Sequence, residues 1–208
     1  MSSCRHVVTS GRYSEGMSKK EALTRAAGEL LWERGYTGTS PAMILERAGA
    51  GQGSMYHHFS GKAELAVAAM AQMSDQLRSR TEEALAGDGS AVARINAFLD
   101  LERDPLAGCR MGRLVQDFEV VADDDLRATT ADFFTWLGER LSAVLAEGVR
   151  AGEFRPGTDP DAMASLIMAT VQGGYVLARA HQDPAAFRRA VDGAKQVVAG
   201  LVADSGRG

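Results

Sequence analysis

Cysteine is nearly absent from this 208-residue chain: Cys4 and Cys109 are the only two, and they lie far apart. They make no disulfide framework, so a reducing compartment, the cytoplasm, is the expected location. Long apolar runs are missing as well. No stretch approaches the roughly 18 uninterrupted apolar residues that a membrane-spanning helix needs, and no membrane is expected among the partners. The opening residues MSSCRHVVTSGRYSEG hold no apolar segment and do not read as a signal peptide. Alternating strand patterns are lacking. The sequence also has no Glu-x-x-His pair, no nucleophile motif and no glycine loop able to cradle phosphate. Gly51-Gln52-Gly53 is too short for a dinucleotide fingerprint. Neighbouring His57 and His58 diverge on a helix with no third ligand nearby, which argues against a metal site. By this reading the chain has no catalytic residues, metal or cofactor and is not an enzyme.

What is present is helical pattern and uneven charge. With 45% hydrophobic residues the chain can bury one sizeable core or two small ones. The net charge of −4 conceals a division. Residues 1–62 carry eight Lys/Arg against five Glu, a balance of +3, whereas the remainder carries 15 basic and 22 acidic residues, a balance of −7. A basic head on an acidic body suits a nucleic-acid reader whose second domain does something else. The expected division is a disordered, Gly/Ser-rich tail at 1–17, a head at 18–64 and a body at 65–208. Met17 is a candidate start of the natural chain.

The head centres on Ser40 to Lys62, SPAMILERAGAGQGSMYHHFSGK. Ser40 is a good N-cap, Pro41 suits the first helical position, and Gly49 supplies the left-handed stop. A second short helix runs from about Gln52 to His58, with Met55 and Phe59 on its inner face. Gln52, Gly53, Ser54, Tyr56 and His57 are left to face outward. Two short helices joined by a glycine-containing turn form a helix-turn-helix. Before it, a helix opens at Ser18 with a Ser-x-x-Glu capping box and carries Leu23, Ala27, Leu30 and Leu31 as its stripe. After it, a long helix from Ser60 toward Ala86 leaves the head and joins the body.

These residues resemble a known family. Leu23 to Leu65 is similar to the DNA-binding domain of TetR/AcrR-type transcriptional regulators, through ALTRAAGELLWERGYTGTS, ILERAGAGQGSMYHHF and FSGKAEL. The spacing Gly-x-x-x-Gly-x-x-Tyr-x-His-Phe-x-x-Lys-x-x-Leu, from Gly49 to Leu65, carries most of the likeness. Gly51 departs from it, standing where the family usually has Ser or Thr as a cap. By position, Gln52 and Ser54 reach base edges, while Tyr56, His57 and Lys62 contact phosphate together with Thr39 and Ser40. The resemblance supports these roles. His58 reads as structural.

The body reads as helical throughout, giving an all-α chain. Its helices cover Ser90–Arg103, 109–121, a segment opened by Asp123-Asp124-Asp125, and two that begin Asp159-Pro160 and Asp183-Pro184. The first of those two, to about Ala180, is apolar on nearly every side and therefore reads as buried, in part at a subunit interface. Phe98, Met111, Phe118, Phe133, Trp136, Met168 and Tyr175, with Gln172 as a polar contact, are the candidates for an inducer pocket. The implied inducer is a small apolar or aromatic molecule. Gly108-Cys109-Arg110-Met111-Gly112 resembles a Gly-Cys-x-x-Gly segment in a subgroup that includes efflux-pump repressors and an electrophile-sensing branch. A Cys109 thiol beside Arg110 and a helix N-terminus would be reactive. The resemblance implies a homodimer through the last two helices on a palindromic double-stranded DNA operator, a repressor released by its inducer. The rival reading is a small-molecule or thiol-reactive sensor with another output.

Overall fold

The computed structural model describes residues 17–203. Ten helices form there: α1 (Lys19–Arg34), α2 (Pro41–Ala48), α3 (Gln52–His58), α4 (Lys62–Leu85), α5 (Ala91–Leu99), α6 (Arg110–Leu114), α7 (Phe118–Ala122), α8 (Asp124–Arg150), α9 (Pro160–His181) and α10 (Pro184–Gly200). The fold is all-α. The expected tail lies outside the described residues except for Met17. One isolated antiparallel bridge, Phe154 with Val202, ties the α8–α9 connection to the end of α10.

Local chemistry explains the head. Ser18 Oγ accepts the Glu21 N–H at 3.2 Å and Glu21 Oε2 accepts the Ser18 N–H at 2.7 Å, which closes the capping box of α1. Leu23, Ala26, Ala27, Leu30 and Leu31 are buried on its inner side. Ser40 Oγ accepts the Met43 N–H at 3.3 Å, and Gly49 ends α2 at φ +60°, a region that a side chain would strain. Met55 and Phe59 then hold α3 against the head, with only 0% and 4% of their surfaces exposed.

Three boundaries differ from those read in the sequence. α4 starts at Lys62 rather than Ser60, because Gly61 is extended and the Ser60 N–H goes to Glu64 Oε2 at 2.7 Å. α5 stops at Leu99 rather than Arg103. The Arg103 side chain folds back onto its end, donating to the carbonyls of Phe98 (2.7 Å), Leu99 (3.0 Å) and Leu101 (2.8 Å). Those carbonyls have no partner inside the helix, so a guanidinium there both bonds them and complements the negative end of the helix dipole. Residues 109–121 are two helices rather than one: Asp117 caps α7 through the Glu119 N–H at 3.2 Å and breaks the run.

The long helices follow their caps. Asp123, Asp159 and Asp183 each accept backbone N–H groups at the starts of α8, α9 and α10. α4 packs against α1 in the head and against α5 and α8 in the body. α9 packs on both α8 and α10. It buries Ile167, Val171, Tyr175 and Ala178, yet Leu166, Val176 and Leu177 stay exposed. Within one protomer, then, α9 is buried on one side only. Val197 of α10 is exposed as well.

Candidate nucleic-acid interface and ligand cavity

The outer side of α3 presents Gln52, Gly53, Tyr56 and His57 to solvent, with Ser54 half-buried beside them. Tyr56 is 58% exposed although Met55, next to it, is wholly buried. His58 lies half-buried with its ring edge-on to His57 and Phe59, at centroid distances of 4.8 and 6.5 Å. Lys62, the first residue of α4, places its ammonium 3.8 Å from the centre of the Tyr36 ring, a cation–π contact. At the start of α2 one residue differs from expectation. Thr39 is buried and its hydroxyl donates to the Gly35 carbonyl at 2.7 Å, so that hydroxyl is turned away from any phosphate. Ser40 Oγ accepts the Met43 N–H as the expected cap, which leaves its own O–H to donate. Arg47 is likewise engaged within the head, donating twice to Glu33 at 3.0 and 2.9 Å.

A cavity of about 340 Å³ opens in the body between α1, α4, α5, α8, α9 and the loop before α6. It is of the size that holds small ligands. Five expected residues line it: Phe98, Cys109, Phe133, Gln172 and Tyr175. Four others do not. Met111 is fully buried in the core, and Phe118 is 84% exposed on α7. Trp136 stacks under the Arg78 guanidinium at 4.9 Å. Met168 reaches toward Gly138, where an added Cβ would meet its methyl at 3.2 Å. All four are apolar side chains that the sequence groups by helix position, whereas the fold turns them to other faces.

The lining that the sequence did not mark includes Trp32, Leu77, Thr81 and Leu101, together with five charged residues: Arg80, Glu102, Arg103, Asp104 and Arg110. The cavity therefore joins charged groups to a mainly apolar lining. Burial lowers the Arg103 pKa, and the carbonyls at the end of α5 supply its hydrogen bonds. Burial also raises the Tyr175 pKa, opposed by the charge of Arg103, so its phenol stays neutral and able to donate. A spacing signal for part of this wall was available: Leu77 and Thr81 stand four apart on α4.

The same wall is where the head attaches. Trp32 of α1 lines the cavity and its Nε1 donates to the Gly108 carbonyl at 3.0 Å. Arg113 of α6 donates to the carbonyls of Trp32 and Glu33 in the last turn of α1. Asp117 accepts the Thr37 N–H at 2.9 Å and the Thr37 hydroxyl at 2.6 Å. Burial pushes the Asp117 carboxyl up, but its bonds from Thr37, Glu119 and Tyr36 outweigh that and hold it below the usual carboxylate value. α6 in turn meets the Gln172 side chain of α9: a Cβ on Gly112 would collide with Gln172 Oε1.

Residues 23–69 match the family described as bacterial regulatory proteins, tetR family, and residues 91–194 match the tetracyclin repressor-like C-terminal domain. The HTH-type transcriptional regulator LmrA of Bacillus subtilis is 33% identical over 168 residues, 76% of this chain and 85% of its own. The chain belongs to the TetR family. The transcriptional regulator AcuR of Cereibacter sphaeroides is 28% identical over 171 residues, 79% of this chain and 78% of its own. A TetR transcriptional regulator from Chloroflexus aurantiacus superposes with a TM-score of 0.77 at 30% identity, covering 88% of this chain and 96% of that one. As a TetR-family member the protein is a transcription regulator with a DNA-binding helix-turn-helix, not an enzyme. No helix among its described residues is long and apolar enough to cross a membrane.

Proposed function

We propose that this TetR-family regulator is a repressor that binds a palindromic operator as a homodimer and is released by a small molecule held in the body cavity. The observation that carries this reading is Trp32, which belongs to the head, walls the cavity and is bonded to Gly108. A ligand that fits the cavity better in one head position than another shifts DNA affinity by that difference. We assign residues 18–64 to the head and 65–208 to the ligand-binding and dimerisation body, with α4 as the lever between them. Gln52 and Ser54 read base edges; Tyr56, His57 and Lys62 hold phosphates, with the α2 N-terminus at Ser40 beside them. Thr39 supports the turn through Gly35. The exposed apolar faces of α9 and α10 pair across a two-fold axis, placing the heads about 34–36 Å apart.

The test is fluorescence anisotropy on duplex DNA from immediately upstream of the protein's own gene, against scrambled duplex, at two salt concentrations. Specific binding that weakens steeply with salt is expected of a phosphate-anchored reader. Equal, weak binding to both duplexes would favour the second reading, a sensor working through Cys109, which also lines the cavity.

A further inference from the structure

Beside the first cavity lies a second cleft of about 330 Å³, and the two share Gly108, Cys109, Gln172 and Tyr175 as a common wall. Three arginines line the cleft: Arg34 from the end of α1, Arg113 from α6 and Arg179 from α9. Two of them converge on Gly108, where an added Cβ would sit 3.2 Å from Arg113 Cδ and 3.5 Å from Arg179 Nη1. Gly108 has φ +86°, so the sharp turn and the close approach both call for a residue without a side chain. The cleft's one acid, Asp117, already accepts from Thr37 and from the Glu119 N–H. Among the described residues no carboxylate forms an ion pair with any of the three arginines.

The first cavity is different. Its three arginines are offset by Glu102 and Asp104 in the same wall. Arg103 is bonded to three carbonyls, Arg80 to the Glu102 carbonyl at 2.8 Å, and Arg110 is stacked 4.4 Å over Trp32. In the cleft Arg113 and Arg179 are likewise bonded to carbonyls, Arg113 to Trp32 and Glu33 and Arg179 to Ala107 at 3.2 Å, so the two sites differ in their carboxylates. The excess positive charge lies in the cleft, while the aromatic and aliphatic surface of Trp32, Phe98, Phe133 and Leu137 lies in the cavity.

We infer that the ligand is an amphipathic anion, with an apolar tail in the first cavity and a carboxylate or similar head group among Arg34, Arg113 and Arg179. This inference rests on the ligand-responsive reading above and names its ligand class. Arg113 is half-buried and next to Arg179, and both effects lower its pKa; the charge of a bound anion offsets both. Arg113 also holds the last-turn carbonyls of α1. An anion that draws the guanidinium toward itself weakens that hold on the head, which links binding to release from DNA.

The test is calorimetric titration of the full chain with octanoate, with 1-octanol and with inorganic phosphate. Octanoate is expected to bind about tenfold or more tightly than octanol, as charge-assisted hydrogen bonds imply. Arg179→Gln and, independently, Arg34→Gln should close most of that gap, whereas Arg179→Lys should keep much of it. Octanol binding as well as octanoate would overturn the proposal, as would a preference that survives both glutamine variants. Phosphate binding as tightly as octanoate would overturn the role of the tail. Operator binding by the same preparation separates the two failures. A protein that binds its operator but shows no octanoate preference refutes the ligand class alone, whereas a protein that binds no operator removes the regulator reading beneath it.

Discussion

Tyr56 is the most exposed large hydrophobic side chain of the head, yet it stands on a helix whose other face buries Met55 and Phe59 completely or nearly so. A ring left 58% exposed there contributes little to the core, and its hydroxyl is free to meet a phosphate. Tyr56→Ala should weaken operator binding about tenfold or more while leaving the oligomeric state by light scattering unchanged. Unaltered anisotropy titrations would remove Tyr56 from the interface. At this scale the sequence showed which residues leave the core of a short helix, because the period of α3 sets that directly. It did not show Thr39 turning inward, since a threonine before a cap serves a turn or a surface equally well until the Gly35 carbonyl is in view. Phe118 failed for the opposite reason: an aromatic in a helical pattern reads as core, but the break at Asp117 rotates α7 and carries the ring into solvent.

At the scale of the element, caps were the most legible signal. Ser18, Ser40, Asp123, Asp159 and Asp183 all accept backbone N–H groups at helix starts that their residue types predict. Helix ends made by distant or folded-back side chains were not legible. α5 ends under the Arg103 guanidinium and α7 begins at a carboxylate that also reaches Thr37, 80 residues away in sequence. That clamp gives a pH-dependent prediction. Asp117→Ala should destabilise the protein by about 1–2 kcal/mol near neutral pH, after allowance for its partial exposure. The folded carboxyl lies below its unfolded value, so its contribution is complete well above about pH 3.9 and drains as pH falls through the folded value. Thermal melts of the two proteins should differ at neutral pH and converge stepwise in acid. Identical melts at neutral pH would show that the bonds to Thr37 add no stability.

For the whole molecule, one protomer leaves an apolar surface on α9 and α10 without a partner among the described residues. Leu166, Val176 and Leu177 of α9 are 43%, 53% and 48% exposed, and Val197 of α10 is 44% exposed. The sequence pointed to this face, because a helix apolar all round must bury every side and α8 and α10 cover only part of it. The cavity was less legible, since its wall draws on α1, α4, α5, α8 and α9, and only the tertiary packing brings Trp32 beside Tyr175. The unpartnered face also bears on DNA affinity. In the proposed dimer, linking two heads raises the effective concentration of the second at the operator. Val176→Glu puts a charge on this surface, at the rim of the arginine cleft, without changing any residue of the head. We expect sedimentation to show a monomer that keeps its helical content by circular dichroism. We also expect operator affinity to fall on the order of hundredfold or more, the avidity that two linked heads provide. A Val176→Glu protein that still sediments as a dimer would place the subunit interface elsewhere. A monomer with undiminished operator affinity would mean that one head suffices and that the two-fold geometry plays no part in recognition.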